Sequence, residues 1–154
     1  MMKKSLSSKL IRLIIVLPFL LPHSLSGQLP RLIVVDQLVT DRLNEIKDSF
    51  RNERILILPE NGNPLSVITD ELKGNAYSEI HIFALTKPGS IVFDEITILA
   101  ENVNDYSDQL RQWKDFSAKT EKIIIHSDIL TSVPEGGVII ENISRLTGKK
   151  IVVE

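Results

Sequence analysis

The chain has 154 residues, 18 of them basic and 20 acidic, no cysteine, and aromatics at 5%. That length suits one domain with a core large enough to fold without staples. The sparse aromatics and abundant aliphatics favour an α/β sheet protein over an aromatic-rich sandwich. The absence of thiols excludes disulfides, thiolate metal sites and a cysteine nucleophile.

The first 26 residues differ from the rest. Lys3, Lys4, Lys9 and Arg12 accompany the apolar run Leu10–Leu21, followed by Pro22 and the small-residue pattern Ser24-Leu25-Ser26. A basic start, a short apolar core and small residues two apart predict a secretory signal peptide over residues 1–26, cleaved after Ser26 or Gly27. A bilayer span needs roughly 20 apolar residues, and this run is shorter. The expected location is therefore exported (periplasmic, cell surface or secreted), with no stable membrane span after cleavage. The leader holds four of the 18 basic residues and none of the 20 acidic ones, leaving 14 against 20 and a net charge of −6. That balance argues against nucleic acid as a partner, because phosphates call for basic patches.

From Gln28 onward, extended runs alternate with amphipathic segments. Arg31–Asp36 is a continuously apolar, β-branched run of the kind buried on both faces of a sheet. Val39, Leu43, Ile46 and Phe50 recur at helical spacing and predict a helix over Thr40–Phe50. Arg54–Leu58 reads as the second strand. Asn61-Gly62-Asn63-Pro64 then makes a turn with proline at a helix start, and Gly74 is the expected stop of that helix. Glu79–Ala84 is the third strand, and Pro88-Gly89 turns the chain. Ile91-Val92-Phe93 and Ile96-Thr97-Ile98 predict a small hairpin around Asp94-Glu95. Val103, Tyr106, Leu110 and Trp113 mark a third helix, and Lys122–His126 a fourth strand. Pro134 opens a fourth helix that Gly148 closes, and Ile151–Glu154 is a fifth strand. The expectation is an α/β three-layer sandwich, a mainly parallel sheet of about five strands with helices on both faces, plus the hairpin. Residues 28–154 are expected to form one domain. Because the chain stops on a strand, either the domain finishes there or the reading frame is truncated.

In an open parallel sheet, ligands bind beyond the carboxyl ends of the strands. Those ends are Asp36, Pro59–Asn61, Ala84–Gly89 and His126–Asp128. His81, inside the third strand between Ile80 and Ile82, reads as a hydrogen-bonded core residue. His126, at a strand end, is the better candidate for chemistry. His126-Ser127-Asp128 offers the residue types of a hydrolase triad, but neighbours on a strand point to opposite faces and cannot share a hydrogen bond. The bland reading is a strand end capped by polar side chains. A metal site would need His126, Asp128, Asp36 and Glu60 to converge, and no spacing motif supports it. Gly136-Gly137 at a helix start is an anion-site candidate. Neither a dinucleotide nor a P-loop signature is present, and no cofactor is expected.

The order of elements and several short matches resemble the bacterial domain-of-unknown-function family 4347, a caspase-like domain of large secreted surface proteins. The resemblance spans most of Leu32 to Val153. It rests on the first strand ending in Asp36, the helix start near Asn61-Gly62, and Ile80-His81-Ile82 before Pro88-Gly89. Asn102–Trp113 and Arg145-Leu146-Thr147-Gly148 complete it, the Gln112-Trp113 and Leu146-Thr147-Gly148 steps being the more specific. The family pattern continues the third strand into Ser-His-Gly and ends the fourth with Tyr-Gly-Cys, which look like the His and Cys of caspase-type peptidases. This chain has Ala84-Leu85-Thr86 and His126-Ser127-Asp128 at those places. Leu85 has no proton to exchange, and Asp128 is a poor nucleophile for amides.

The resemblance therefore implies a non-catalytic member with degenerate dyad positions Leu85 and Asp128, retained as a binding or structural module. The expected binding face is Asp36, Lys87, His126, Ser127 and Asp128, together with the Asp94-Glu95 hairpin. The expected partner is a protein or a cell-surface ligand. The alternative is a hydrolase with a non-standard site on His126 and Asp128, with Asp36 and a metal assisting.

Overall fold

The computed structural model describes residues 27–154, and the leader expected over residues 1–26 lies outside the described residues. Five strands form one parallel sheet: β1 (Leu32–Val35), β2 (Arg54–Ile57), β3 (Glu79–Phe83), β7 (Lys122–Ile125) and β8 (Lys150–Val153). Their order across the sheet is β2-β1-β3-β7-β8. The chain winds one way from β1 to β2 and the other way from β3 to β8, so the direction reverses between β1 and β3. A crevice forms at such a reversal, beyond the strands' carboxyl ends.

β1 shows why its sequence is apolar without a break. Leu32 and Val34 enter one core cluster and Ile33 and Val35 the other, all four fully buried. Alternation along a strand sends successive side chains to opposite faces, so a strand covered on both sides needs every position apolar. Helices α2 (Pro64–Gly74), α3 (Ser107–Phe116) and α4 (Pro134–Thr147) cover the larger face with Leu65, Ile68, Leu110, Trp113, Ile139 and Ile143. Trp113 is buried with its one polar atom satisfied, Nε1 donating to Thr69 Oγ1 at 2.8 Å. Helix α1 (Leu43–Ser49) and the 3-10 turn before it bring Val39 and Ile46 to the other face. This is the three-layer α/β sandwich with helices on both sides, thicker on one face than the other.

Three local details differ from the sequence reading. The first helix is not one element. A 3-10 segment, Gln37–Arg42, precedes α1, and Val39 at φ −125°, ψ 19° breaks the helical run between them. Asp36 nucleates that segment, its side chain accepting from Leu38 N at 3.0 Å. Second, the hairpin has a third strand. β4 (Leu85–Lys87), β5 (Ser90–Val92) and β6 (Thr97–Leu99) form an antiparallel meander, so Leu85 pairs with Val92 and is not part of β3. Pro88 and Gly89 (φ 68°) turn β4 into β5, as a proline followed by a positive-φ glycine is suited to do. Third, Gly74 is the last residue of α2 and does not take positive φ; Asn75 follows in extended conformation. Gly148, in contrast, caps α4 in the left-handed region at φ 65°.

Candidate functional site

The crevice at the reversal is an open cleft of about 490 Å³. Leu38, Val39, Asp41 and Arg42 line it from the 3-10 segment, and Ala84, Leu85 and Thr86 from the end of β3 and the start of β4. The β7 end contributes His126, Ser127, Asp128 and Ile129. Six large apolar side chains are exposed among the described residues, and three of them, Leu38 (43%), Leu85 (38%) and Ile129 (38%), belong to this lining. Clustered apolar exposure of that kind marks interaction sites more than scattered exposure does.

The sequence candidates separate into two groups. His126, Ser127, Asp128 and Leu85 line the cleft. Asp36 does not: it is buried, and its two oxygens accept from Leu38 N at 3.0 Å and from Asp94 N at 3.3 Å. It ties the end of β1 to the β5–β6 turn. Lys87 is exposed at the far end of β4 and is not part of the lining. Glu60 is exposed beyond β2, and among the described residues no group of three His, Asp or Glu side chains converges as metal ligands would. Gly136 has another reason to be glycine than anion binding. A Cβ there would sit 2.0 Å from the Leu130 carbonyl oxygen, so the loop after β7 could not lie against α4.

Ser127 is buried, and its hydroxyl accepts from Thr86 Oγ1 at 2.8 Å, Leu130 N at 2.9 Å and Ile129 N at 3.2 Å. It closes the 3-10 turn Leu130–Ser132 and pins β4 to the β7 end, the capping role that such a side chain suits. His126 points the other way. Its Nε2 lies 3.0 Å from His81 Nδ1, and His81 Nε2 lies 3.1 Å from Glu79 Oε2. Among the described residues, His126 shares no hydrogen bond with Ser127 or Asp128.

The imidazoles sit in an aromatic wall. Phe83 stacks on His126 with centroids 3.9 Å apart at 6°, and Phe50 meets His81 edge-on at 5.1 Å. Burial, with positive charge on His81 and Arg42 adding to it, pushes the His126 imidazole down to about 4. Burial also lowers His81, against the pull of Glu79. For Glu79 itself burial disfavours the charge, but hydrogen bonds from His81 and from Lys122 (Nζ–Oε1 3.2 Å) outweigh it and hold the carboxyl below its usual range. At neutral pH both rings are therefore uncharged beside an ionised Glu79.

Sequence reasoning missed three participants: Arg42, Thr86 and the His81 partnership. The last had a signal in the register. His81 pairs with Ile124, so His126, two residues further along β7, falls on the same face. Chemically, the cleft presents a neutral imidazole, an exposed Asp128, the Arg42 guanidinium and an apolar rim.

No helix among the described residues is long and apolar enough to cross a membrane. No curated protein and no solved structure matches the chain. The model of a family described as a domain of unknown function (DUF4347) matches residues 32–154, from the first residue of β1 through β8. That match takes in the sheet, the helices and the cleft of the described residues, and the chain belongs to the DUF4347 family.

Proposed function

We propose that the protein is an exported, non-catalytic domain that binds a protein or cell-surface ligand at the strand-end cleft, on a caspase-like scaffold that has lost its reaction. The observation that carries this reading is the placement of Leu85 and Asp128. They stand where the family resemblance puts a histidine and a cysteine, and both line the same cleft. A thiol–imidazole dyad needs its two groups in contact so that the thiolate can form. An aliphatic side chain and a carboxylate cannot reproduce that step. Ser127, the other hydroxyl at hand, is held by three hydrogen bonds beneath the surface. The rim of Leu38, Leu85 and Ile129 favours binding over reaction. Export rests on the basic, then apolar, then small-residue pattern of residues 1–26.

One observation favours a hydrolytic reading: His126 reaches the cleft with its ring oriented by His81 and Glu79, as a general base is oriented. Incubation of the purified protein with peptide and ester libraries separates the two. The binding reading expects no turnover, and the protein as purified should hold no stoichiometric zinc or manganese. Turnover abolished by His126→Ala or Asp128→Ala, or metal lost on His126→Ala, would overturn it in favour of the hydrolase.

A further inference from the structure

A line of hydrogen-bonded ionisable groups runs under the cleft, and the binding reading assigns it no task. Lys122 and Glu79, the first residues of β7 and β3, meet at 3.2 Å. Glu79 then meets His81 Nε2 at 3.1 Å, and His81 Nδ1 meets His126 Nε2 at 3.0 Å. The line therefore extends from the amino ends of the central strands to the cleft at their carboxyl ends.

Proton counting fixes the tautomers. An ionised Glu79 only accepts, so His81 Nε2 must carry a hydrogen. A neutral His81 then has its lone pair on Nδ1, and the 3.0 Å contact requires a hydrogen on His126 Nε2. The remaining nitrogen, His126 Nδ1, is left with a lone pair. Among the described residues, no group is hydrogen-bonded to Nδ1 and no buried side-chain polar atom lacks a partner. Nδ1 therefore reaches solvent, on a residue that lines the cleft.

We propose that the His81–His126 pair is a proton-operated switch in the cleft wall. With the pair neutral, His126 Nδ1 offers a ligand a hydrogen-bond acceptor; one solvent proton bound there turns the same atom into a donor on a cation. The pair survives that first proton. His126 Nε2–H continues to donate to His81 Nδ1, or passes its hydrogen across so that the charge sits on His81 beside Glu79. Only a second proton, which leaves an N–H on both sides of the contact, forces the rings apart.

The surrounding charges act in both senses. Arg42 from the 3-10 segment and Arg31 before β1 oppose the cation, although Arg31 is itself paired with Glu53 at 2.9 Å. Lys122 lies one group further off, beyond Glu79. Glu79 favours the cation from beneath, and Asp41, Asp128 and Glu154 favour it from the cleft lining. The Phe83 face stacked on His126 and the Phe50 ring against His81 shield the N···N contact, and the Phe83 face tolerates a cation. The neutral cleft would thus select groups that donate hydrogen bonds, and the protonated cleft carboxylates. That consequence rests on the binding reading of the cleft; the proton count does not.

Long-range imidazole ¹H–¹⁵N spectra of the labelled protein, followed from pH 7.5 to about pH 2.5, test the switch. Both His81 and His126 are expected as Nε2–H tautomers at pH 7.5, and His126 Nδ1 should gain its proton on acidification. Glu79→Gln should move that midpoint down by about one pH unit, a tenfold loss of proton affinity. Should that variant not fold, the tautomers of the unmutated protein decide the matter. A His126 Nδ1–H tautomer at pH 7.5, or a midpoint indifferent to Glu79→Gln, overturns the switch. Sodium trifluoroacetate, a carboxylate that stays ionised throughout this range, serves as the ligand probe, and the amide signals of Leu85 and Asp128 should respond to it only below the midpoint. An equal response above and below overturns the effect on ligand choice, and turnover assays bear on neither arm.

Discussion

Replacing Asp36 by alanine separates its structural role from a role in binding. The side chain is buried and makes two hydrogen bonds, to Leu38 N at 3.0 Å and to Asp94 N at 3.3 Å. Losing an N-terminal cap costs about 1 kcal/mol, and up to about 2 in a protein. The longer bond to Asp94 is at the weak end of the range, and leaving its donor unpaired adds about 1 kcal/mol. The sum is about 2–3 kcal/mol. With a urea m-value of about 1–3 kcal/mol/M, that lowers the unfolding midpoint by roughly 1–2 M at unchanged slope. Asp36→Asn keeps one acceptor oxygen but turns an amide N–H₂ toward the other partner, and should lose about half as much. Urea titration followed by far-UV circular dichroism reads both. An unfolding free energy that Asp36→Ala leaves within about 0.5 kcal/mol of the parent would refute the capping argument. It would also return Asp36 to the list of groups free to meet a ligand.

Two further outcomes follow from the same structure. His126 titrates near 4 in the fold and about 6.5 when unfolded, so between those values the unfolded chain binds more protons and acid favours unfolding. Stability should be fully present above about pH 6.5 and fall by ~2 kcal/mol, after allowance for solvent screening, as the pH drops toward 4. His126→Gln should flatten the slope, and a parent protein equally stable in urea at pH 7 and pH 5 would contradict it. Gly136→Ala should cost ~3 kcal/mol or prevent folding, because its Cβ meets backbone atoms of Leu130 at 2.0 and 2.7 Å. Gly137→Ala, whose Cβ meets nothing within 4 Å, is the control and should be neutral or slightly stabilising in the same titration.

What could be read locally was read from the chain itself. The unbroken apolar run of β1, the spacing of Leu110 and Trp113 in α3, and the prolines and Gly148 at the helix ends specify elements through contacts only a few residues apart. Strand–helix alternation then leaves a parallel, two-sided sheet as the solution that buries those faces. The strand ends mark the neighbourhood of the cleft from the sequence alone. Tertiary structure decided the rest, because it depends on partners far apart in sequence. Asp36 and His126 both stand at strand ends and look alike in the sequence. One is spent on the amides of Leu38 and Asp94, while the other lines the cleft and is bonded to His81, 45 residues away. Ser127 became a clasp through Thr86, 41 residues distant. A side chain's residue type fixes what bonds it can make, and only the register of the sheet and the path of the loops settle which bonds use it up.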